Sequence, residues 1–391
     1  MNKFINACNF YLGLRCLYNL QGVFYASGGV VSRALLLLFL LLSLYYIGLV
    51  ILKYKLSRPF KCITIFFALL FIYGVFLLFT NEVLYAAGNE VPRFQYLKSV
   101  MLSFGPVYAC YHFTKQKTLT ATSIKIWVYL YFLVATLTFF NMQQRVMELN
   151  DADAITNNMA YSFLALMPAV FLFDKKPAVQ YLLLGYCLVF ILMGVKRGAI
   201  LIGAIALLYF VYFTFTQTTK KYKFSSVVFT LILLSCLLYF VNEMVSSNDY
   251  FMSRVESTLS GDTSGRDELY SGYLNHFLTE QNFVNLIFGH GANGSIRIFY
   301  DYAHNDWLEL AINQGILGLF LYLLYWLGLY KYRAMSKHNN VIRAYFTLFI
   351  MVFFIKTLFS MSYNMSIYAS SVLGYMIATV DEEQSLINRN K

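Results

Sequence analysis

Apolar runs long enough to cross a bilayer recur along nearly the whole chain, and they limit the possible folds more than any other feature. The runs cover residues 4–27, 34–53, 62–80, 97–114, 123–142, 159–173, 178–194, 198–217, 224–243, 312–331, 341–360 and 364–380. Most are close to the roughly 20 residues that a helix needs to cross hydrocarbon, although Arg15 interrupts the first run. Because lipid cannot hydrogen-bond to the backbone, we predict an all-α polytopic membrane protein with about 11–12 transmembrane helices.

The basic residues follow the pattern expected for orientation in a membrane. Only 13% of the 391 residues are charged, about half of what soluble domains carry. Five Lys/Arg clusters occupy short connections, at 53–61, 115–117, 175–176, 220–223 and 331–337. Placing all five in the cytoplasm lets the segments between them alternate without conflict, as the positive-inside rule requires. The net charge of +11 therefore indicates orientation and not nucleic-acid binding.

The side opposite the basic clusters receives the longest connection. Residues 244–311 are polar over much of their length, and in this topology they form one large periplasmic loop of a single transmembrane domain, 1–391. The six cysteines show no CxxC spacing. They are typical of small buried residues, so the sequence indicates neither a disulfide framework nor a metal site.

Three basic sites fall on the side that should be poor in Lys and Arg. Lys196 and Arg197 occupy a tight turn between two apolar segments, where an unpaired charge costs several kcal/mol. Arg266 lies inside the large loop, and Arg93 just before a span. A bound anion would stabilise Arg197 and Arg266, since the guanidinium fork binds phosphate in bidentate fashion. The alternatives are an ion pair of Arg266 with a neighbouring acid and a lipid-headgroup contact for Arg93.

A histidine stands at the start of the segment that follows the large loop, in the stretch YAHNDWLELAINQGILG. In the predicted topology His304 lies at the extracytoplasmic membrane surface, and an imidazole can take a proton from a hydroxyl near pH 7. Asn305, Glu309 and Asn313 follow at intervals of four, which places polar groups along one helical face. The alternative is a polar anchor at the membrane interface.

This stretch resembles a signature shared by bacterial O-antigen ligases and O-antigen polymerases of the Wzy type. The signature is His, then Asn, Ser or Gln, nine variable residues, Gly, two more residues, and Gly, Thr or Tyr. Every fixed position is matched, by His304, Asn305, Gly315 and Gly318. The resemblance covers about residues 120–330.

Two arginines extend the resemblance. Arg197 precedes a glycine after a mid-chain span, and Arg266 stands early in the large loop, as in many family members. Lys196 replaces the serine that more often precedes the Arg-Gly pair. The resemblance implies a GT-C-like integral membrane glycosyltransferase in which His304, Arg197 and Arg266 are catalytic. Around these residues we expect Arg93, Lys196, Asn305, Glu309 and Tyr270 to bind substrate.

The resemblance also implies the substrates. The donor would be a glycan on undecaprenyl pyrophosphate, the acceptor a glycan or lipid A-core, and the transfer would need no metal or other cofactor. The expected function is polymerisation of lipid-linked repeat units into surface polysaccharide or O-antigen. It would take place at the periplasmic face of the bacterial inner membrane, among membrane lipids. The alternatives are O-antigen ligation to lipid A-core or another acceptor, and flipping or transport of a lipid-linked polysaccharide.

Other polar residues of the extracytoplasmic side offer competing interpretations. Asp151 and Asp153 form an Asp-x-Asp pair that would suit a divalent ion acting as a Lewis acid. His276 and His290 lie in the large loop without metal-ligand spacing, and we interpret them as ordinary polar loop residues. Transporters usually bury charges near the middle of the membrane, whereas the polar residues here gather on one side. This asymmetry favours an enzyme.

Overall fold

The computed structural model describes residues 6–148, 156–217, 220–247, 252–253, 256, 260, 265–280, 282–358, 360 and 367–389. The helices are α1 (Ala7–Asn19), α2 (Val30–Lys53), α3 (Arg58–Leu78), α4 (Phe94–Lys115), α5 (Ala121–Glu148), α6 (Ala160–Leu166, continued by a 3-10 helix at Met167–Phe173), α7 (Pro177–Met193), α8 (Arg197–Gln217), α9 (Lys220–Ser247), α10 (Arg266–Asn275, continued by a π-helix at His276–Glu280), α11 (Phe283–Phe288), α12 (Gly294–Phe299), α13 (Asp306–Met335), α14 (Asn340–Lys356) and α15 (Ile367–Arg389). An antiparallel hairpin of β1 (Leu84–Ala86) and β2 (Asn89–Val91) follows α3.

Six of the described helices are long and apolar enough to cross a membrane, namely α2, α3, α5, α8, α9 and α13. These helices confirm the predicted fold class, an all-α multi-pass membrane protein. Their large apolar side chains often point outward. Leu52 is 89% exposed and Leu208 is 70% exposed, as expected for helix faces that lipid covers, since lipid tails are as apolar as leucine.

The first predicted segment, 4–27, does not form a helix of membrane length. α1 has 13 residues, about 20 Å at 1.5 Å per residue, whereas the hydrocarbon layer is about 30 Å thick. Arg15 on this helix is only 5% exposed, and its guanidinium lies 5.0 Å from the ring centroid of Phe39 on α2. The charge that interrupts the apolar run therefore lies against an aromatic ring inside the bundle and does not face lipid.

α4 packs against α2, α3 and α15 in the interior of the bundle. Glycines let the helix backbones come close at two of these contacts. A Cβ on Gly105 would lie 2.7 Å from the Cβ of Ser43, and a Cβ on Gly374 would lie 2.2 Å from the carbonyl oxygen of Val107. Small residues at such contacts are typical of membrane proteins, in which close packing drives helix association.

α13 is a discontinuous helix. Gly315 has φ 64° and ψ −157°, which interrupts the helical hydrogen bonding. The backbone amide of His290 donates to the carbonyl of Ile312 at 2.8 Å, and the amide of Gly291 donates to the carbonyl of Asn313 at 2.9 Å. Carbonyls near the break thus pair with another part of the chain, as irregular backbone at membrane depth requires.

The loops that follow α3 and α9 meet at one end of the bundle, which we call the loop end. The amide of Ala87, in the hairpin, donates to the carbonyl of Tyr300 at 2.9 Å. The hydroxyl of Tyr73 on α3 donates to the carbonyl of Phe288 at 2.5 Å. α13 begins here at Asp306, earlier than the predicted start at 312, so the helix extends the bundle into the loop end.

Replacing Gly289 with alanine is expected to destabilise this fold. Gly289 has φ +73°, and a Cβ there would lie 2.3 Å from the carbonyl carbon of Asn313. Backbone strain alone costs on the order of 1–3 kcal/mol, and the clash adds to it. The thermal unfolding midpoint of the protein in detergent should fall. Gly48→Ala is the matched control, because nothing lies within 4 Å of its Cβ position. Equal midpoints for both variants would contradict this account.

Candidate active site

His304 lies between the last loop residues and the first turn of α13. Its φ of +51° is in the left-handed region, which is unusual for a residue other than glycine. Asn305 follows as the N-cap of α13, and its Oδ1 accepts hydrogen bonds from the amides of Trp307 (2.9 Å) and Leu308 (3.2 Å). The amide nitrogen Nδ2 of Asn305 donates to the carbonyl of Leu358 at 2.9 Å. Asn305 therefore fixes both the start of α13 and its attachment to the end of α14.

Two more contacts attach the start of α13 to the residues that directly follow α14. The amide of Asp306 donates to the carbonyl of Thr357 at 2.9 Å, and the indole Nε1 of Trp307 donates to Oγ1 of Thr357 at 2.9 Å. The Asp306 carboxylate is fully buried and accepts a hydrogen bond from the hydroxyl of Tyr322 at 2.5 Å. The residues that flank His304 are therefore held by bonds of their own, which leaves the imidazole at the surface.

Glu309 is fully buried one turn into α13. Its Oε2 accepts a hydrogen bond from the amide of Ala303 at 2.8 Å, and its Oε1 accepts one from Nδ2 of Asn313 at 3.0 Å and another from the hydroxyl of Ser295. Both oxygens are thus taken up inside the protein. In this arrangement the carboxylate positions the residue before His304, and contact of Glu309 with substrate stays a prediction.

The pKa of the His304 imidazole is lowered, chiefly by desolvation. His304 is an exposed residue, yet the pKa of its imidazole is lowered, first by partial desolvation and then by the cations of Arg266 and Lys196, while Asp301 acts in the opposite direction. The electrostatic effect shows that Arg266 and Lys196, far apart in the sequence, both lie near this ring. A neutral imidazole can accept a proton.

α10 brings Arg266 and Tyr270 to His304. The helix begins at Arg266, after Gly265 with φ +73°. The hydroxyl of Tyr270 lies 3.4 Å from the carbonyl oxygens of His304 and Leu358. Burial raises the pKa of Tyr270, while the charge of Arg266 lowers it. Tyr270 remains a hydrogen-bond donor at neutral pH as a result, and it bridges α10 to the two segments that meet at the histidine.

Lys196 and Arg197 lie in the turn between α7 and α8. Arg197 is the first residue of α8, and both side chains are half-buried. The turn is tied to the chain before α6, because the carbonyl of Gly194 accepts a hydrogen bond from the amide of Asn157 at 2.9 Å. The charge of Lys196, in this turn, lowers the pKa of the His304 imidazole. For Arg197 a contact with a shared ligand stays a prediction.

Arg93 makes its contact at another part of the loop end. It precedes α4, and its Nη1 donates to the carbonyl of Thr80, just after α3. The sequence did not indicate this pairing, since a basic residue before a span is typical of a headgroup contact. Of the predicted site residues, the structure therefore groups His304, Arg266, Lys196 and Tyr270, with Asn305 and Glu309 as positioning groups.

Two histidines interpreted as unrelated loop residues meet in the structure. The Nε2 atoms of His276 and His290 are 3.3 Å apart, and Nδ1 of His290 is 3.3 Å from Nδ2 of Asn285. Their separation along the chain gave no signal of this contact. Within the part of the chain that the structure describes, no group of three or more His, Cys, Asp or Glu residues is placed to hold a metal ion. Asp151 and Asp153 lie outside the described residues.

Comparison with known protein families finds a match to part of the chain. Residues 182–323 match the family model Wzy_C, described as O-antigen ligase. The matched region runs from α7 into α13 and contains Arg197, Arg266 and His304. No curated protein matches the chain. Over these residues the chain is similar to the family that the signature at His304 resembles, and the match covers less than half of the chain.

Glu309→Ala is expected to destabilise the protein. The substitution leaves the Ala303 amide and the side-chain donors of Ser295 and Asn313 without their acceptor, and each unsatisfied buried group costs about 1–3 kcal/mol. Chemical unfolding in detergent should show a loss on the order of 3 kcal/mol. Glu268→Ala is the control, since Glu268 is exposed. A loss of equal size in the control would show that the buried network has no special role.

Proposed function

We propose, from the assignment to the O-antigen ligase and polymerase family, that this protein transfers glycan from undecaprenyl pyrophosphate to an acceptor hydroxyl. The transfer would take place at the periplasmic face of the bacterial inner membrane and would extend lipid-linked repeat units into surface polysaccharide or O-antigen. The observation that carries the proposal is that the imidazole of His304, exposed at the loop end, feels the charges of both Arg266 and Lys196. A base and an anion-binding group are the two functions that this reaction needs.

The chemistry follows from these two functions. The imidazole of His304 takes the proton from the acceptor hydroxyl, and the oxygen forms a bond to the anomeric carbon of the donor sugar. The bond between that carbon and the pyrophosphate oxygen breaks, and its electron pair stays on the pyrophosphate. Arg266, Lys196 and Arg197 stabilise the charge that develops on this leaving group. We assign the stabilisation to these side chains and not to a metal ion.

Ligation is the second candidate function. The matching family model is described as O-antigen ligase, which favours transfer to a lipid A-core acceptor. Both functions use the same donor, so both are consistent with the same base and the same cations. They differ in the acceptor.

Single alanine substitutions of His304, Arg266 and Arg197 are expected to abolish product formation. Loss of a general base lowers a rate by about 10²–10⁴-fold, and loss of a cation at the leaving group has a comparable effect. Each variant would be expressed in cells that lack the gene, and surface glycan would be examined by gel electrophoresis beside the amount of protein in the membrane.

Two exposed residues supply matched controls for this experiment. His338→Ala and Arg58→Ala remove the same side-chain types at exposed positions on the predicted cytoplasmic side, away from the loop end, and both variants should stay active. Full activity in any two of the three site variants, at normal membrane levels, would refute the assignment.

The pH dependence of transfer should move in opposite directions in two other variants. Activity requires neutral His304, so it is present above the pKa of the imidazole and falls as the pH drops through that pKa. Lys196 lowers this pKa and Asp301 raises it. Lys196→Gln should therefore shift the acidic limb of the rate profile to higher pH, and Asp301→Asn should shift it to lower pH. Shifts in the same direction would mean that another group titrates.

A further inference from the structure

A small polar cavity lies at the end of the bundle opposite the loop end. Its volume is about 180 Å³, below the usual range for cofactors and drug-sized ligands, so it suits a single small group. α14 packs against both α8 and α13, and the cavity lies where α8 and α13 end and α14 begins. Two arginines, Arg333 and Arg343, line it together with Tyr209, Tyr212 and Thr347. Arg333 is separated from the loop end by nearly the whole length of the 30-residue helix α13.

The two arginines are joined through one threonine. Nε of Arg333 donates to Oγ1 of Thr347 at 2.8 Å, and the same hydroxyl donates to the carbonyl of Arg343 at 2.8 Å. Both guanidinium charges act on the hydroxyl of Tyr209, so the two cations lie around one point. No acid lines the cavity among the residues that the structure describes. The cations therefore repel each other, and a bound anion would offset this repulsion.

The surroundings of the cavity indicate a lipid as the source of the anion. Tyr212 lines the cavity and is 64% exposed, and Leu208, one turn earlier on α8, also points outward. The cavity thus lies beside a helix face that lipid covers. Arg333 belongs to the basic cluster at 331–337, which we assign to the cytoplasmic side. Basic pockets between transmembrane helices on that side are typical binding sites for the headgroups of anionic lipids.

We propose that this cavity binds the phosphate of an anionic phospholipid in the leaflet on the side of the basic clusters. The guanidinium forks of Arg333 and Arg343 offer paired N–H donors to phosphate oxygens, and the hydroxyl of Tyr209 is a further donor. Because no carboxylate lines the cavity to receive the ammonium of a zwitterionic headgroup, a headgroup with a net negative charge binds more tightly. The acyl chains lie along α8, beside Leu208 and Tyr212. This site does not depend on the proposed transfer reaction.

Photolabelling in nanodiscs tests the site. The probe is phosphatidylglycerol with a diazirine at the start of one acyl chain, added to the full-length protein in phosphatidylcholine nanodiscs. Label should concentrate in peptides that contain residues 208–216 and 333–347, and unlabelled phosphatidylglycerol should displace it. Label spread evenly over the lipid-facing helices, or displaced equally well by phosphatidylcholine, would overturn the proposal. Displacement by an equal concentration of inorganic phosphate would identify a site for free phosphate and would overturn the assignment to a lipid.

Arg343→Gln is the decisive variant, because Arg343 is exposed and the substitution leaves the packing of α14 intact. Half-saturation should then need about tenfold more phosphatidylglycerol, which is the typical loss of a hydrogen bond to a charged group. Arg343→Lys keeps the charge without the fork and should give an intermediate value. Arg58→Gln removes an exposed arginine of the same side that does not line the cavity, and it should behave like the native protein. Equal half-saturation for Arg343→Gln and Arg58→Gln would overturn the proposal.

A stability measurement checks the same site without a label. A ligand that binds only the folded protein raises its unfolding midpoint. Short-chain phosphatidylglycerol should therefore raise the thermal midpoint of the native, Arg58→Gln and His304→Ala proteins in uncharged detergent. The rise should be much smaller in Arg343→Gln, and short-chain phosphatidylcholine should leave all four midpoints unchanged. An equal rise in Arg343→Gln would place the lipid at another surface and overturn the proposal.

Discussion

The break in α13 is the constraint on which the loop end depends. A helix interrupted at Gly315 leaves carbonyls without their helical partners, and lipid cannot supply replacements. The backbone amides of His290 and Gly291 donate to the carbonyls of Ile312 and Asn313 instead. This pairing requires the two backbone segments to lie in contact, and a Cβ at Gly289 or Gly315 would clash with the facing segment. The glycine of the signature at Gly315 thereby has a physical reason, namely the close approach of the segment around Ile287.

The same contact organises the groups around His304. Because the loop is fixed against α13, Ser295 and Ala303 can both reach the carboxylate of Glu309. The buried carboxylate then fixes the backbone just before the histidine, and Asn305 fixes it just after. The imidazole lies at the surface between two rigid points, where α10 and the α7–α8 turn bring their cations. Preorganised charge of this kind is what the proposed transfer, in which pyrophosphate leaves, requires.

Particular residues show how much of the candidate site could be predicted from the sequence. Arg266 and Lys196 stood out in the sequence because they fall on the side of the membrane that should be poor in Lys and Arg. In the structure both cations act on the imidazole of His304. Glu309 was expected to bind substrate because it lies on the polar face of a helix. This pattern gives no sign that Ser295 and Ala303 fold over its carboxylate. The contact between His276 and His290 was not predicted either, because it depends on how the loop folds.

The sequence alone determined that the protein is an all-α membrane protein, and it indicated the end at which the polar groups gather and a resemblance to a known family. These are local properties, since hydropathy over about 20 residues and a short motif can be recognised without knowledge of contacts. The tertiary structure decided that Arg15 of α1 is buried in the bundle, that both carboxylate oxygens of Glu309 accept hydrogen bonds inside the protein, and that Arg297 pairs with Glu82. Each of these depends on residues distant in sequence meeting in space, which no local pattern encodes.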